Sequence, residues 1–321
     1  MTDAVSTSAS ASEAVSRSGS GSTSARATSR AVDSLGLPSA PNAGGRGRAA
    51  LHGVACLLRR PALLASILIL VLVVAWALAP GLFTNADPLR GVPRDALQAP
   101  SAAHWFGTDH LGRDIYARTV HGTSTSLRAT GLAVLIALAS GGAIGLLAGF
   151  LGGRADTVLM RATDVLMAIP TLLLSMAIVT VLGFGTVNIA VAVGLSYIAT
   201  FARLMRGEVM RWRGAVFVEA AVAGGVRTGT ILLRHVLPHA AGPVLALAAL
   251  EFGSAVLAVS SLSFLGFGAP PPQPEWGLLI AEGRNYMAAA WWYTTMPGAV
   301  VALVVLAANQ VARAVQEQGA P

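Results

Sequence analysis

Residues Glu208 to Pro243 read EVMRWRGAVFVEAAVAGGVRTGTILLRHVLPHAAGP. This is the longest polar and charged interval between two long apolar segments. It carries Arg211, Arg213, Glu219, Arg227, Arg234, His235 and His239. The Ala-rich run Val216 to Ala223 favours helix. Gly224 and Gly225 would end that helix or permit a tight approach to it. A second helical run, Thr230 to Val236, is expected to stop at Pro238, because proline disfavours a helical residue just before it. The expectation is a short helix, a glycine turn and a second helix outside the membrane. Small residues on the first helix leave room for a partner surface.

The rest of the chain explains why this interval stands out. Of 321 residues, 54% are hydrophobic and only 12% are charged, and the mean hydropathy is +0.65. A soluble domain carries roughly 25% charged residues, so the composition is that of a polytopic membrane protein. All 22 basic residues are arginine, and lysine is absent. A GxxxxGK[ST] phosphate loop needs its lysine, so nucleotide hydrolysis, if it drives this protein, belongs to another chain. A Schiff-base lysine is excluded on the same ground. The lone Cys56 offers no internal disulfide. No metal-ligand cluster and no basic-aromatic interleaving occur, so no metal, cofactor or nucleic-acid partner is expected.

Residues 1–50 are rich in Ser, Ala, Thr and Gly without an apolar run, and read as a disordered cytoplasmic tail rather than a signal peptide. Six apolar runs follow, each near the roughly 20 residues that a span needs. They are placed at Ala62–Ala79, Arg128–Phe150, Val165–Leu182, Val187–Met205, Pro243–Phe267 and Pro297–Val311. Residues 51–122 thus hold the first span and a polar external loop, and 123–315 hold a core interrupted by the loop 206–242. Pro170 lies inside the third run and is expected to kink it. Residues 151–163 read as a short loop, and Trp291-Trp292-Tyr293 as an interfacial aromatic cluster. Gly141, Gly145 and Gly149 recur every four residues, a spacing that lets helix backbones approach in lipid.

Arginine is biased to one side. On the external side only Arg90, Arg94, Arg113, Arg118, Arg128 and Arg284 are expected, and the other sixteen, including Arg59 and Arg60 before the first span, place both termini in the cytoplasm. The net charge of +7 is therefore a topology signal. Glu251 is the one ionisable residue in a span core, where such groups are costly and often functional. A secondary transporter would need more such coupling groups. An intramembrane protease would need histidine in a span, and all six histidines fall in expected tails or loops.

Several motifs together resemble one family. Glu219-Ala220-Ala221, three residues, Gly225, nine residues, His235, one residue, Leu237-Pro238 is similar to the EAA loop of bacterial ABC importer membrane subunits. His235 replaces an Ile-like position, as is common in the dipeptide, oligopeptide and nickel permeases. Phe106-Gly107-Thr108-Asp109-His110-Leu111-Gly112-Arg113-Asp114 resembles the signature after the first span in that branch, and Ser261-Leu262-Ser263-Phe264-Leu265-Gly266 resembles its "SLSFLG" step. The family's acidic tail is replaced here by Asn309-Gln310-Val311-Ala312-Arg313.

The resemblance implies an all-α, six-helix type I ABC importer permease in the bacterial inner membrane. It implies that Glu219, Ala220, Ala221, Gly225, His235, Leu237 and Pro238 form the loop that couples to the ATPase. It further implies a second permease subunit, two cytoplasmic ATP-binding subunits and an external substrate-binding protein as partners. The expected cargo is a dipeptide or oligopeptide, with nickel or a metal chelate as the alternative within the same family.

Overall fold

A computed structural model describes residues 61–319. The 1–50 tail and Arg59-Arg60 lie outside the described residues. The described chain is helical. Its elements are α1 (Pro61–Leu78), α2 (Ile115–Leu151), α3 (Gly153–Met167), α4 (Thr171–Leu182), α5 (Thr186–Arg213), α6 (Val216–Ala223), α7 (Leu237–Phe264), α8 (Trp276–Gly283) and α9 (Trp292–Gly319). Four continuous helical segments besides α1 are long and apolar enough to cross a membrane: α2, α5, the run Thr228–Phe264 that ends in α7, and α9. Five helical segments therefore pass by length and composition, and the expected six is reached only if the bent pair α3–α4 is counted as one crossing.

The third span differs from the expected Val165–Leu182 helix. The residues 151–163, expected as a loop, are largely α3, and α3 meets α4 at a 93° bend. Pro170 sits at the N-cap of α4 with φ −53°. It cannot donate to a helix ladder, so the chain breaks there rather than bending gently. α4 alone has 12 residues, about 18 Å at 1.5 Å per residue. It runs back along α5, with Ser175 Oγ donating to Ser196 Oγ at 2.9 Å and Asn188 Nδ2 donating to the carbonyls of Leu182, Gly183 and Phe184.

Three helical segments begin earlier than expected: α2, the run into α7, and α9, which starts at Trp292 rather than Pro297. α2 starts at Ile115, not near Arg128, because Asp114 caps it by accepting from Ala117 N at 2.8 Å. His121 is therefore on a helix and not in a loop. The second helical run does not stop at Pro238. A turn at Thr228–Thr230 leads into a π-helical segment Ile231–Val236 and straight on into α7. Pro238 lies in the first turn of α7, directly after the π-helical turn. His239 is consequently helical as well. α9 extends past the expected end at Val311.

The packing centre is the seam between α2 and α5. A Cβ on Gly141 would stand 2.5 Å from the carbonyl oxygen of Ile198, and one on Gly149 would stand 2.8 Å from that of Arg206. A Cβ on Gly145 would overlap the carbonyl oxygen of Ala202. From the other helix, a Cβ on Gly194 would lie 2.8 Å from the Ala133 carbonyl. The four-residue glycine spacing therefore marks a true backbone contact. Around this seam one apolar cluster joins α2, α4, α5 and α7 through Ala133, Val179, Val193 and Val259. A second joins α1, α2, α7, α8 and α9 through Val73, Val120, Val256, Trp276 and Val304.

Candidate functional site

At one end of the bundle, the EAA helix α6 hangs below α5. On its inner face Val218 is buried with Phe201, Met205 and Val209 of α5 and with Ile231, Val236, Ala240 and Val244, and Ala221 packs against the same cluster. Its outer face is open, since Val216, Glu219, Ala220, Val222 and Ala223 are exposed. Alanine on that face leaves the backbone accessible to a surface brought against it.

The end of α6 is a Schellman motif. Gly225 has φ +73°, the N–H of Gly225 bonds the carbonyl of Val222 at 3.0 Å, and the N–H of Val226 bonds that of Ala221 at 3.1 Å. Two carbonyls that the helix leaves unpaired are thereby satisfied, and the left-handed residue is the one position where a Cβ is penalised. Among the described residues, chain neighbours aside, nothing lies within 4 Å of where that Cβ would be. The demand for glycine here is conformational, not a matter of room within this chain.

The remaining motif residues serve a different purpose. His235 and Leu237 are half-buried and Pro238 is exposed. They belong to the π segment and the start of α7, which re-enter the bundle. The carbonyl of His235 accepts from His239 Nδ1 at 2.7 Å. His239 packs against Trp212 at 4.9 Å and against Phe217 at 5.1 Å between ring centroids. This trio ties the end of α5, the start of α6 and the first turns of α7 together. Sequence reasoning placed these rings in the loop without joining them. A groove of about 460 Å³ opens beside α6, lined by Phe150, Arg213, Val218, Glu219, Val222 and Ile231 among others. Glu219 and Gly225 thus sit on one exposed corner, while His235, Leu237 and Pro238 form its hinge with the membrane portion.

At the opposite end of α2 the FGTDHLGRD stretch folds into a buried ionic cluster. Asp109 Oδ1 accepts from the backbone N–H groups of Leu111 and Arg113 at 2.8 and 2.9 Å. Its Oδ2 accepts from Arg113 Nε at 2.6 Å and from Arg118 Nη1 at 2.8 Å. Arg118 Nη1 also donates to Glu282 Oε2 at 2.7 Å, which accepts from Tyr293 Oη at 3.0 Å. Asp109 and Arg113, four positions apart, form the local pair of this cluster. The partner from α8, Glu282, was not legible, because it stands 164 positions from Arg118. Trp292 and Tyr293 are buried here, and only Trp291 of the expected aromatic cluster is exposed. They serve the core instead of an interface.

α8 is wedged beside this cluster. Glu275 caps it, accepting from Gly277 N and Leu278 N, both at 3.2 Å, and from Ser126 Oγ at 3.3 Å. Burial pushes the Glu275 carboxyl above the usual carboxylate range, against the opposing pull of those hydrogen bonds. Glu251, singled out in the sequence, is half-buried in α7 beside Ser254 and near Tyr197 of α5.

A family model described as binding-protein-dependent transport system inner membrane component matches residues 141–318, a stretch that includes α6 and its hinge. The dipeptide transport system permease protein DppC of Alkalihalophilus pseudofirmus is 40% identical over 230 residues, 72% of this chain and 76% of that one. The probable D,D-dipeptide transport system permease protein DdpC of Escherichia coli is 37% identical over 244 residues, 76% of this chain and 82% of its own. The glutathione transport system permease protein GsiD of Pectobacterium atrosepticum is 42% identical over 212 residues, 66% of this chain and 70% of its own.

Proposed function

The chain belongs to the family of binding-protein-dependent transport system inner membrane components, and from that premise we propose that it moves short peptides across the cell membrane under the drive of a separate ATPase. Peptide or glutathione cargo in the names of the similar permeases supports a peptide-like substrate. A nickel or metal-chelate cargo is not favoured. The chain itself performs no covalent chemistry.

The observation that carries this reading is the exposed α6 corner held to the spans through Val218. ATP binding closes the pair of cytoplasmic ATP-binding subunits, one of which grips α6 by Glu219, Ala220 and the Gly225 turn. Because the Trp212–Phe217–His239 trio and Val218 fix α6 to both α5 and α7, a displacement of α6 moves those helices as a body. A second permease completes the path, and an external substrate-binding protein delivers the peptide. In this topology α6 and both termini face the cytoplasm, and the Asp109 cluster faces outward.

Uptake by right-side-out vesicles supplied with internal ATP tests the reading. Peptide accumulation should require ATP and the separate ATPase chains, and the purified single chain should hydrolyse no ATP. Accumulation driven by an ion gradient without ATP would overturn it, as would labelling of residues 216–226 from outside intact cells.

A further inference from the structure

The helix α3 does not cross the bundle. α4 lies antiparallel along α5, and α3 turns from α4 by 93°, so α3 runs across the end of α5. Two ion pairs fix it there. Asp156 takes Arg206 in a two-pronged contact, Nε to Oδ1 at 2.5 Å and Nη2 to Oδ2 at 2.6 Å. Asp164 takes Arg203 Nη2 at 2.7 Å. Arg203 lies 17 positions beyond Thr186, about 26 Å along α5 at 1.5 Å per residue. A hydrocarbon core is about 30 Å thick. α3 therefore lies at the level of the membrane–water boundary, on the same side as α6.

The outward face of this helix has a distinct composition. Arg154, Val158, Arg161 and Val165 follow at spacings of four, three and four, which puts them on one stripe of a 3.6-residue helix. All four are exposed, Val158 and Val165 at 68% and 66%. Both acidic residues of α3 are spent on α5. Among the described residues neither Arg154 nor Arg161 has an acidic partner, so the stripe is basic and apolar together. Such a face suits a helix lying in the lipid interface, with apolar groups in the acyl boundary and arginines at the phosphates.

We infer that α3 is an interfacial helix whose Arg154 and Arg161 bind the phosphate headgroups of anionic lipids, and whose Val158 and Val165 seat in the adjoining acyl region. This rests on the membrane placement proposed above, though not on peptide being the cargo. The two aspartate–arginine pairs hold the helix at that depth and hand its position to α5, which leads directly into α6. Lipid headgroup charge thus bears on the same helix that carries the coupling loop.

The test uses the full-length chain as it purifies, placed in nanodiscs of phosphatidylcholine with a minority of phosphatidylglycerol. Mass spectrometry of the released protein counts retained lipids. The wild type should retain phosphatidylglycerol well above its share. Each arginine near an anionic surface is worth roughly five-fold, so Arg154→Gln with Arg161→Gln should cut that enrichment by tens of fold. Equal enrichment in the double variant would overturn the assignment. Displacement of the lipid by inorganic phosphate would show a free-anion site and overturn it too. So would efficient cross-linking in cells from Val158→Cys, in a Cys56→Ser background, to a second permease, since protein and not lipid would then cover the stripe. Loss of peptide uptake with lipid retention intact would count against the transport reading alone.

Discussion

Asp109 and Arg118 meet at 2.8 Å with neither side chain exposed to solvent. The carboxylate also holds Arg113, and the guanidinium reaches Glu282 of α8. The loop before α2 and the helix before α9 are thereby joined by charge as well as by the apolar packing of Phe106 with Trp276 and Ile280. Such a cluster is stable only when every charge is met.

Removing one partner should be severe. Asp109→Ala leaves two buried arginines short of a counter-charge, and breaking a buried pair costs about 3–5 kcal/mol. Thermal unfolding in detergent, or protein abundance in the membrane, should fall sharply. Replacing the exposed Asp87, paired with Arg90 at 3.5 Å on the surface, should change either measurement little. Equal effects at the two sites would show that the cluster contributes nothing special.

Gly225 makes a conformational prediction. Gly225→Val forces a β-branched residue into left-handed backbone, which costs about 1–2 kcal/mol, and the turn after α6 should re-form differently. Peptide uptake should be lost while insertion and abundance stay near wild type. Gly225→Asn, which tolerates that backbone, should retain more uptake than valine. If asparagine and valine abolish uptake equally, the partner surface and not the turn geometry is what excludes a side chain.

The α2–α5 seam should behave as a packed backbone contact. Gly145→Leu inserts four carbons where even one Cβ meets the Ala202 carbonyl, and overpacking costs about 1–3 kcal/mol or more. The same substitution at Gly131, which has nothing within 4 Å of its Cβ position, should be well tolerated. Comparable melting of the two variants in detergent would mean that the helices separate readily and the seam is not the centre of packing.

The Glu275 carboxyl gives a pH dependence with a defined sign. Burial raises its folded-state pKa above the ordinary carboxylate value, so the folded protein holds this proton where the unfolded chain has lost it. Its contribution to stability is therefore full below the ordinary value and is lost as pH rises through the raised folded value. Glu275→Gln cannot ionise and should remove that decline. Melting temperatures of wild type and variant, compared across mildly acidic to alkaline pH, should diverge as pH rises. Parallel curves would show that Glu275 does not titrate in this range.

Much of the candidate site could be read from the chain. The helix over Val216 to Ala223, its glycine stop and the polar flanks follow from local propensity, and α6 occupies those residues. The glycine repeat on α2 also announced a close contact, since small residues at four-residue spacing have few other uses in lipid. The passage through Pro238 was misread because proline reports only its own φ and its missing N–H. It does not report whether a preceding turn has widened to a π form that lets the helix continue. The break at Pro170 was read as a kink, and only the packing of α3 on α5 turned it into a right-angle bend.

What the sequence determined by itself is what local rules encode: the apolar runs, the arginine bias, the helix–glycine–helix corner and the glycine seam. Tertiary structure alone decided which charges meet. Glu282 comes to Arg118 from 164 positions away, and Asp156 to Arg206 from 50. No periodicity links such residues. A charge in a chain this apolar must find a partner, but which partner depends on how the helices stack, and that is set by side-chain packing summed over the whole bundle rather than by any one stretch.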